Sequence, residues 1–476
     1  MISFIIGLTI LLLGYLFYSK LIARIAGEDP SATTPAVKLN DGVDFLPMPT
    51  WKVFLIQFLN IAGLGPIFGA VAGAMWGPVA FIWIAFGAVF AGAVHDYFSG
   101  MLSIKNDGLS IPEIVGRYLG VKAKYAMRAF TVVLLILVGV VFILGPAKIL
   151  SGMTPDWGST TLWVWVVFVY YFLATLLPID KVIGRIYPVF GLALLIMAVG
   201  LITALFIKGY QIPEINFTGI VNNHSNPDKF PIFPMLFVTI ACGAISGFHS
   251  TQSPLMARCL KNEKHGRPVF YGSMITEGVV ALIWAAISMS FFGGIKELNS
   301  IMAENNGNAA WAVNEISNSL LGKFGGLLAL LGVVAAPISS GDTAFRSARL
   351  IVSDFVNLKQ KAIKNRLIIA FPLFVIGYLL TQINFGIIWR YFAWANQALA
   401  TIVLWAVTVY LMKSKYKYLI TLIPALFMTV VISSYLMFAP EMLSLPINIS
   451  VLTGVGLAVV LLVWFMITKY SQKNES

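Results

Sequence analysis

Long runs of apolar residues constrain the fold of this chain more than any other feature of its sequence. A helix of about 17 to 25 such residues spans the hydrocarbon core of a lipid bilayer. The runs lie near residues 2–18, 53–75, 79–101, 128–147, 161–178, 187–207, 232–254, 269–292, 324–342, 367–382, 391–411, 418–438 and 447–468. The sequence therefore predicts an all-α membrane protein with about thirteen transmembrane helices, called spans 1 to 13 below.

The charged residues support this interpretation and predict an orientation. They make up 11% of the chain, whereas a soluble protein uses about 25% to cover its surface. The net charge of +12 would suggest nucleic acid as the partner of a soluble protein. However, 26 of the 32 Lys and Arg residues follow odd-numbered spans or lie in the C-terminal tail, and basic residues are retained on the cytoplasmic side. We therefore expect an inner-membrane protein with its N-terminus outside, its C-terminus in the cytoplasm and no nucleic acid partner.

The segments between the spans are too short for a second globular domain, so we expect one transmembrane domain over residues 1–476. Span 1 is expected to be retained, because no basic residue precedes it and Lys20 and Arg24 follow it. Residues 308–321 and 343–357 are predicted to form short helices on the membrane surface.

Two cysteines and four histidines limit the chemistry of the chain. Cys242 lies in an apolar run and Cys259 beside Arg258, which predicts neither a disulfide framework nor a Cys-based metal cluster. No Ser–His–Asp set, metal-ligand cluster or intramembrane protease motif stands in a suitable setting. We therefore expect no enzyme, no cofactor and no metal site.

Span 2 contains residues that interrupt a helix near the middle of the membrane. Gly63, Gly65 and Pro66 follow one another closely there. Proline lacks an amide donor and glycine tolerates non-helical backbone. Hydrocarbon permits such a break only where it faces protein or a watery cavity, so Gly63 and Gly65 are candidate substrate-binding residues. Three more glycines follow at a four-residue spacing that is typical of close helix packing: Gly69, Gly73 and Gly77.

Span 7 has a similar interruption, followed by an unusually polar end. Gly243 and Gly247 lie in mid-span. Half-helices that meet at such a break can offer amides to an anion and carbonyls to a cation. The candidate substrate-binding residues of this span are Gly243, Ser246, Gly247, His249 and Gln252.

The spacing of these two spans predicts an inverted repeat. Spans 2 and 7 are five apart, and a unit with an odd number of helices enters the membrane from opposite sides in its two copies. We expect repeat one over residues 51–207 and repeat two over 231–411, each with a discontinuous first helix. An additional helix and loop occupy 1–50, and two C-terminal helices occupy 412–476. Paired interrupted helices indicate the midplane site of a secondary transporter.

Ionisable residues inside a membrane are costly and indicate function. His95 and Asp96 lie near the cytoplasmic end of span 3, and Glu277 lies within span 8. Consecutive residues on a helix point roughly 100° apart, so His95 and Asp96 need not contact each other. All three are candidate proton carriers, because histidine and buried carboxyl groups can titrate near neutrality. A hydrated pair at the membrane interface is the alternative for His95 and Asp96.

The end of span 9 is also polar. Asp342 and Arg346 are four residues apart, a spacing that suits a salt bridge on one helix face. The alternative is that Asp342 carries protons. Ser339 and Ser340 supply neutral oxygens that suit a monovalent cation and are candidate ion-coupling residues, although serine is also common where helices pack.

Four stretches of the chain resemble the carbon starvation protein A (CstA) family. They are IAGLGP at 61–66, GAVHDY at 92–97, ISGFHSTQSP at 245–254 and SSGDTAFR at 339–346. The resemblance implies an inner-membrane carrier of the amino acid–polyamine–organocation (LeuT-like) superfamily with a five-plus-five inverted repeat. It also implies uptake of peptides or pyruvate when carbon is scarce, with proton coupling.

The leading hypothesis is therefore proton-coupled symport of a small carboxylate-bearing nutrient, either pyruvate or a short peptide. Sodium coupling through Ser339 and Ser340 is an alternative for the same substrates. A second alternative is a nutrient sensor that does not transport, with the basic segment 343–366 as a docking surface for a cytoplasmic protein. The expected partners are the substrate, a proton or sodium ion, and the lipid bilayer.

Overall fold

The structure is a computed structural model that describes residues 1–42, 45–176, 183–215, 220–356, 358 and 362–475. Every regular element in those residues is a helix, and their one isolated β-bridge joins Met48 to Leu260. The chain thus has the all-α architecture that its long apolar runs predict.

The helices are labelled in chain order. They are α1 (Ile2–Ile25), α2 (Thr50–Ile61), α3 (Gly65–Trp76), α4 (Val79–Lys105), α5 (Ile111–Leu119), α6 (Val121–Met153), α7 (Thr160–Leu176), α8 (Ile183–Ile207), α9 (232–239), α10 (Phe248–Ala257), α11 (Glu263–Phe291), α12 (Ile295–Glu304), α13 (Ala309–Ala329), α14 (Ala336–Val356), α15 (Ile363–Thr381), α16 (Phe385–Lys413), α17 (Leu419–Phe438) and α18 (Ile447–Glu475).

Ten helical segments in the described residues are long and apolar enough to cross a membrane, and the bent pair α2–α3 brings the number to eleven. Continuous helix joins α13 to α14, which together count as one of the ten. Span 5 corresponds to the shorter helix α7 and span 7 to the interrupted pair α9–α10. Residues 177 and 178 of span 5 lie outside the described residues. The number of thirteen, the orientation and the inverted repeat stay predictions.

Burial separates the helices around the two breaks from those at the periphery of the bundle. In their most apolar stretches, 89% of the residues of α16 and 83% of those of α11 are buried, against 17% in α18 and 22% in α15. Helices α2, α3, α4, α10, α11 and α16 contact one another around the breaks. They form the inner bundle that positions the candidate site.

The polar end of span 9 folds differently from the prediction. Residues 343–356 continue α14 as one helix from Ala336 to Val356 and do not form a separate surface helix; residue 357 lies outside the described part. Phe345 lies so close to α6 that a Cβ added at Gly139 would be 2.3 Å from its ring. The packing of α14 against α6 therefore extends beyond residue 342, and this explains why the helix does not end there.

The other predicted surface helix is set apart by a kink. α13 begins at Ala309, after Asn308, and bends at Gly322. The φ of Gly322 is +58°, a conformation that side-chain-bearing residues rarely adopt. The helical part before this kink coincides with the predicted segment 308–321.

Candidate functional site at the helix breaks

Span 2 is bent where glycine and proline follow one another. α2 ends at Ile61 and α3 begins at Gly65, and the two helices are bent by 47°. Ala62 ends α2 with φ −86° and ψ +34°, outside the helical region. Pro66 stands in the first turn of α3, where its missing amide leaves no helical hydrogen bond unmade. The discontinuous helix predicted for span 2 is present.

Span 7 is interrupted over a longer stretch. α9 ends at Thr239 and α10 begins at Phe248, so residues 240–247 lie outside any helix. A Cβ at Gly247 would lie 2.4 Å from the backbone oxygen of Asn396, so α16 passes too close to this position for a side chain. The discontinuous helix predicted for span 7 is present as well.

The two breaks lie directly against each other. A Cβ added at Gly65 would be 2.2 Å from Cβ and 2.4 Å from Sγ of Cys242, far inside the about 3.5–4.0 Å at which carbon atoms make contact. A Cβ at Gly243 would meet Ala281 of α11 at 2.5 Å. These glycines therefore permit a close approach of one interrupted segment to the other and to α11. Their predicted part in substrate binding stays a prediction.

Other glycines of span 2 also stand at close approaches. A Cβ at Gly63 would lie 2.8 Å from the ring of Phe142 in α6, and one at Gly73 would lie 2.3 Å from the side chain of Ile240. A Cβ at Gly69 would lie 3.1 Å from a backbone oxygen of span 7. The packing role predicted for the regularly spaced glycines of α3 is thus confirmed at Gly69 and Gly73.

The amides freed by the break in span 7 are satisfied by α16. The amide of Phe248 donates to Oδ1 of Asn396 at 2.9 Å, and the amide of Gly247 donates to the main-chain oxygen of Asn396 at 2.9 Å. The hydroxyl of Ser246 also donates to Oδ1 at 3.2 Å. In this structure the amides of Gly247 and Phe248 are therefore satisfied by protein. The expectation that the amides at this break are free to bind an anion is wrong for these two groups. Unsatisfied backbone is too costly to leave open at this depth.

The carbonyl groups freed by the same break are satisfied by two other helices. Nε1 of Trp83 donates to the oxygens of Phe237 and Ile240 at 3.1 and 2.9 Å. Nε2 of Gln397 donates to the oxygen of Phe237 at 2.7 Å. Side chains of α4 and α16 thus replace the hydrogen bonds that a continuous helix would have made.

Four ionisable side chains from three helices meet beside the breaks. In α4, Nδ1 of His95 lies 2.7 Å from Oδ1 of Asp96, and Nδ1 of His249 in α10 lies 2.8 Å from Oδ2. Nε2 of His249 lies 3.4 Å from Oε2 of Glu277 in α11. All four side chains are fully buried. They are called the buried cluster below: His95, Asp96, His249 and Glu277.

The hydrogen bonds of the buried cluster indicate which atoms carry protons. With Asp96 ionised, its carboxylate only accepts hydrogen bonds, and both histidines then donate to it through Nδ1. Within the described residues, neither imidazole Nε2 atom and neither oxygen of Glu277 has a hydrogen-bond partner. His249 therefore turns an Nε2 lone pair towards a carboxyl group. Two such acceptors repel each other unless a proton or another cation lies between them.

His95 and Asp96 contact each other although they are consecutive in α4. The prediction that they need not pair follows from the roughly 100° between neighbouring positions on a helix. Nδ1 of His95 nevertheless lies 2.7 Å from Oδ1 of Asp96. The interfacial alternative does not fit, because both side chains are fully buried.

The remaining ion-coupling candidates make local contacts within α14. Nη2 of Arg346 donates to Oδ2 of Asp342 at 3.1 Å, the salt bridge that their spacing suits. The hydroxyls of Ser339 and Ser340 donate to the carbonyl oxygen of Ala336 at 2.6 and 3.2 Å. Such bonds are common for serine inside a helix. A cation role for the two serines stays a prediction.

The remaining substrate-binding candidates are buried polar residues of the span 7 segment. Ser246 accepts from Sγ of Cys242 at 3.7 Å, so it lies between the break and α16. Nε2 of Gln252 donates to Oγ1 of Thr251 at 2.9 Å. Neither side chain joins a member of the buried cluster through these bonds, and their contact with substrate stays a prediction.

Several polar residues beside the breaks were not predicted from the sequence. Asn396 satisfies the start of α10, and Gln57 and Asn60 lie in α2 just before its end. Oε1 of Gln57 and Oδ1 of Asn60 are buried and have no hydrogen-bond partner in the part of the chain that the structure describes, while Nε2 of Gln57 donates to Oγ of Ser253 at 3.4 Å. A carboxamide inside an apolar span is the signal that would have found them.

A cavity of about 320 Å³ leads towards the breaks from one side of the bundle. Its inner end reaches Thr239, the last residue of α9, and Phe68 in α3. Its outer part includes His224, in a segment predicted to lie outside the cell. Aromatic rings supply much of the wall: Phe68, Trp76, Phe230, Phe385 and Trp389.

Comparison with known proteins identifies relatives of the chain. Residues 1–162 and 148–324 match the family model described as carbon starvation protein CstA. An uncharacterized membrane protein of Haemophilus influenzae is 44% identical over 61% of this chain and 91% of its own length. Peptide transporter CstA of Helicobacter pylori is 30% identical over 57% of this chain and 48% of its own length. The pyruvate/proton symporter BtsT of Escherichia coli is 27% identical over 58% of this chain and 47% of its own length.

The fold is similar to that of a solved transporter. The crystal structure of an Eremococcus coleocola manganese transporter variant superimposes with a TM-score of 0.51 over 91% of this chain and 99% of that one. The two sequences are 13% identical, so this likeness concerns the fold alone.

Proposed function

Because the chain belongs to the carbon starvation protein CstA family, we propose that it is a secondary transporter that imports a small carboxylate-bearing nutrient together with protons. It is a multi-pass protein of the inner membrane. Relatives named as a pyruvate/proton symporter and as peptide transporters support pyruvate or a short peptide as the substrate, and the family supports use under carbon starvation. The match spans about half the length of these named relatives, so the substrate belongs to the proposal.

The buried cluster is the observation that carries proton coupling. Among the described residues neither oxygen of Glu277 has a hydrogen-bond partner, and Oε2 lies 3.4 Å from Nε2 of His249. An ionised carboxylate without compensation is strongly disfavoured inside a membrane protein. A proton shared between Glu277 and His249 removes both the charge and the repulsion between the two acceptors. Release of that proton leaves a charge that favours a different, more hydrated arrangement.

The position of the cluster links proton binding to movement. His249 lies on the interrupted helix α10, between Asp96 on α4 and Glu277 on α11. Alternating access in carriers with paired broken helices involves motion of one helix bundle against another. Any shift of α10 against α4 or α11 changes one of these contacts, so protonation favours one arrangement over the other.

The substrate is proposed to approach through the aromatic cavity and to bind beside the breaks. The predicted contacts remain the glycines of the two breaks together with Ser246, His249 and Gln252. Gln57 and Asn60 join this proposal, because their buried carboxamide oxygens have no partner in the described residues and lie next to the break of span 2.

The test is uptake of labelled pyruvate and labelled di- and tripeptides into proteoliposomes with an acidic exterior. The wild type is expected to accumulate its substrate and to stop when the pH gradient is collapsed. Glu277→Gln is expected to lose accumulation but to retain exchange of internal for external substrate, because exchange requires no net proton movement. Glu304→Gln, at an exposed helix end, is the matched control and should behave as the wild type.

Other outcomes would assign the function differently. Accumulation that follows a sodium gradient and ignores the pH gradient would overturn proton coupling, and Ser339→Ala and Ser340→Ala would then be expected to abolish it. Substrate binding without transport in either gradient would favour the nutrient sensor. Loss of exchange as well as accumulation in a folded Glu277→Gln protein would place Glu277 in substrate binding.

A further inference from the structure

A cysteine completes a set of metal-ligand atoms at one end of the buried cluster. Sγ of Cys242, a ring nitrogen of His249 and a carboxyl oxygen of Glu277 all lie within 4.8 Å of one another, and Nε2 is the nitrogen of His249 that faces Glu277. All three residues are buried. We propose that they form a binding site for a thiophilic divalent cation of the zinc class. The sequence predicts no Cys-based metal cluster, because its two cysteines lie in different environments. The proposed site needs only one cysteine.

The distances suit a tetrahedral ion with small adjustments. Zinc bonds of about 2.0–2.3 Å place the ligand atoms about 3.3–3.8 Å apart in a tetrahedron. The 3.4 Å between Nε2 of His249 and Oε2 of Glu277 already lies in this range. The other two separations are at most 4.8 Å, so Sγ of Cys242 has to approach by no more than about 1.0–1.5 Å. Rotation of one short side chain supplies a movement of this size.

The hydrogen bonds around His249 orient its imidazole for a metal. Nδ1 of His249 donates to Oδ2 of Asp96 at 2.8 Å, which leaves Nε2 as the atom with a free lone pair. A metal-bound histidine characteristically donates its other ring nitrogen to a carboxylate, which fixes the ring and its tautomer. Asp96 is itself held by His95. The supporting shell of a metal site is therefore already assembled.

The unpartnered buried atoms at this position favour binding of a cation. Nε2 of His249 and both oxygens of Glu277 are buried and lack a hydrogen-bond partner in the described residues. Buried polar atoms are nearly always satisfied in folded proteins, and these converge on one point. A thiol stands beside them: Sγ of Cys242, within 4.0 Å of the carboxamide nitrogen of Asn396.

The donor set selects the class of ion. Thiolate and imidazole ligands favour zinc and related first-row ions, whereas magnesium, calcium and manganese favour oxygen. Three protein ligands with an open fourth position leave room for water or a substrate carboxylate. Binding releases the thiol proton of Cys242 and the carboxyl proton of Glu277. The dication, two anionic ligands and a neutral imidazole then sum to zero charge, which suits the membrane interior.

The ion and the coupling proton would compete for the same position. A bound cation therefore locks α10 to α11 and inhibits the transport proposed above. Metal binding itself is measurable without transport, so its failure and the failure of the transport proposal can be told apart.

The experiment is cobalt titration of the purified full-length protein, followed to constant absorbance. Cobalt(II) bound by a thiolate gives a charge-transfer band in the near ultraviolet, and zinc should displace it at one ion per chain. Cys242→Ser is expected to abolish the band, whereas Cys259→Ser, the matched control in which the lost thiol donates to the Leu255 carbonyl oxygen, should retain it. Asp96→Asn is expected to weaken the affinity about 10- to 100-fold, because it removes the hydrogen bond that orients His249.

Three results would overturn the site. A charge-transfer band that persists in Cys242→Ser and disappears in Cys259→Ser would move metal binding elsewhere, and absence of any thiolate band in folded wild type would exclude it. Glu277→Gln gives an independent check if Cys242→Ser fails to fold, since it should weaken binding by at least about tenfold while leaving the thiolate in place. Equal zinc affinity in Glu277→Gln and wild type would contradict the proposal as well.

Discussion

Gly65→Ala is expected to destabilise the protein, because it forces apart the two breaks. The new Cβ would lie 2.2 Å from Cβ and 2.4 Å from Sγ of Cys242. Carbon atoms in contact are about 3.5–4.0 Å apart, so the two segments would have to separate by about 1.3–1.8 Å. A thiol can rotate away from a clash of this kind, but a Cβ atom is fixed to its backbone.

The cost can be bounded from general packing energies. Adding a methyl group to a well-packed interior costs about 1–3 kcal/mol. Because both clashing carbon atoms are fixed to backbone, we expect about 3 kcal/mol at Gly65. Replacing glycine by alanine in a helix returns about 1 kcal/mol. The expected net loss of unfolding free energy is therefore about 2 kcal/mol.

Substitutions at Cys242 separate the contribution of its Cβ from that of its Sγ. Cys242→Ala keeps the Cβ atom that would lie 2.2 Å from a Cβ added at Gly65. It should therefore rescue little of the stability lost in Gly65→Ala. Cys242→Gly removes both atoms and should restore most of it, with a coupling energy of about 2 kcal/mol in a double-mutant cycle. The assay is thermal unfolding in detergent followed by tryptophan fluorescence, which avoids thiol-reactive dyes.

A glycine in open surroundings provides the control. Gly456 in α18 has no atom within 4 Å of an added Cβ, so Gly456→Ala should be neutral or stabilising by up to about 1 kcal/mol. A Gly65→Ala protein as stable as Gly456→Ala would refute the contact between the breaks. Equal rescue by Cys242→Ala and Cys242→Gly would refute the assignment of the cost to Cβ.

Three further predictions concern groups around the breaks and in the wall of the aromatic cavity. Asn396→Ala should leave the amide of Phe248 without its acceptor and lower the unfolding free energy by about 1–3 kcal/mol. Trp83→Phe should have an effect of the same size, because the oxygen of Ile240 loses its donor; thermal unfolding measures both. Burial lowers the pKa of His224 from 6.5 to about 4, so the unfolded chain binds more protons between these values. Stability should therefore fall as the pH is lowered from 6.5 to 4, and His224→Gln should lose this part of the dependence when unfolding is followed against pH.

Matched variants at exposed positions control for the substitutions themselves. Asn318→Ala and Trp165→Phe lie at exposed positions and should change stability by less than about 0.5 kcal/mol.

Nδ1 of His224 accepts a hydrogen bond from the amide of Asn226 at 3.1 Å, a bond that protonation of the ring removes. An unchanged pH dependence in His224→Gln would show that another group causes it.

The helical spans were predictable because the bilayer fixes their length and hydrophobicity. The breaks were predictable for a similar local reason: Gly65 and Pro66 at one break and Gly247 at the other are poor residues for a continuous helix. The hydrogen-bond partners of the freed backbone were not predictable, because they come from distant parts of the chain. Trp83 lies 157 residues before the carbonyl of Ile240 that it satisfies.

The same limit applies to the buried cluster. The cost of charge in a membrane singles out each of its members separately, and the sequence supplies no measure of their separation in space. Asp96 and His249 are 153 residues apart in the chain and 2.8 Å apart in the structure. Cys242 carries no such signal, since a buried thiol looks like any small apolar residue.

The two buried carboxyl groups, Asp96 and Glu277, differ in the hydrogen-bond donors around them. Asp96 accepts a hydrogen bond from each histidine, at 2.7 and 2.8 Å, so its negative charge is supported in place and can remain throughout a transport cycle. No described residue donates a comparable hydrogen bond to either oxygen of Glu277. Of the two buried carboxyl groups, Glu277 is therefore the one whose charge must be neutralised, by a proton or by another cation. For that reason its substitution is expected to separate the proposed proton coupling from substrate exchange, whereas substitution of Asp96 would disturb the orientation of both histidines at once.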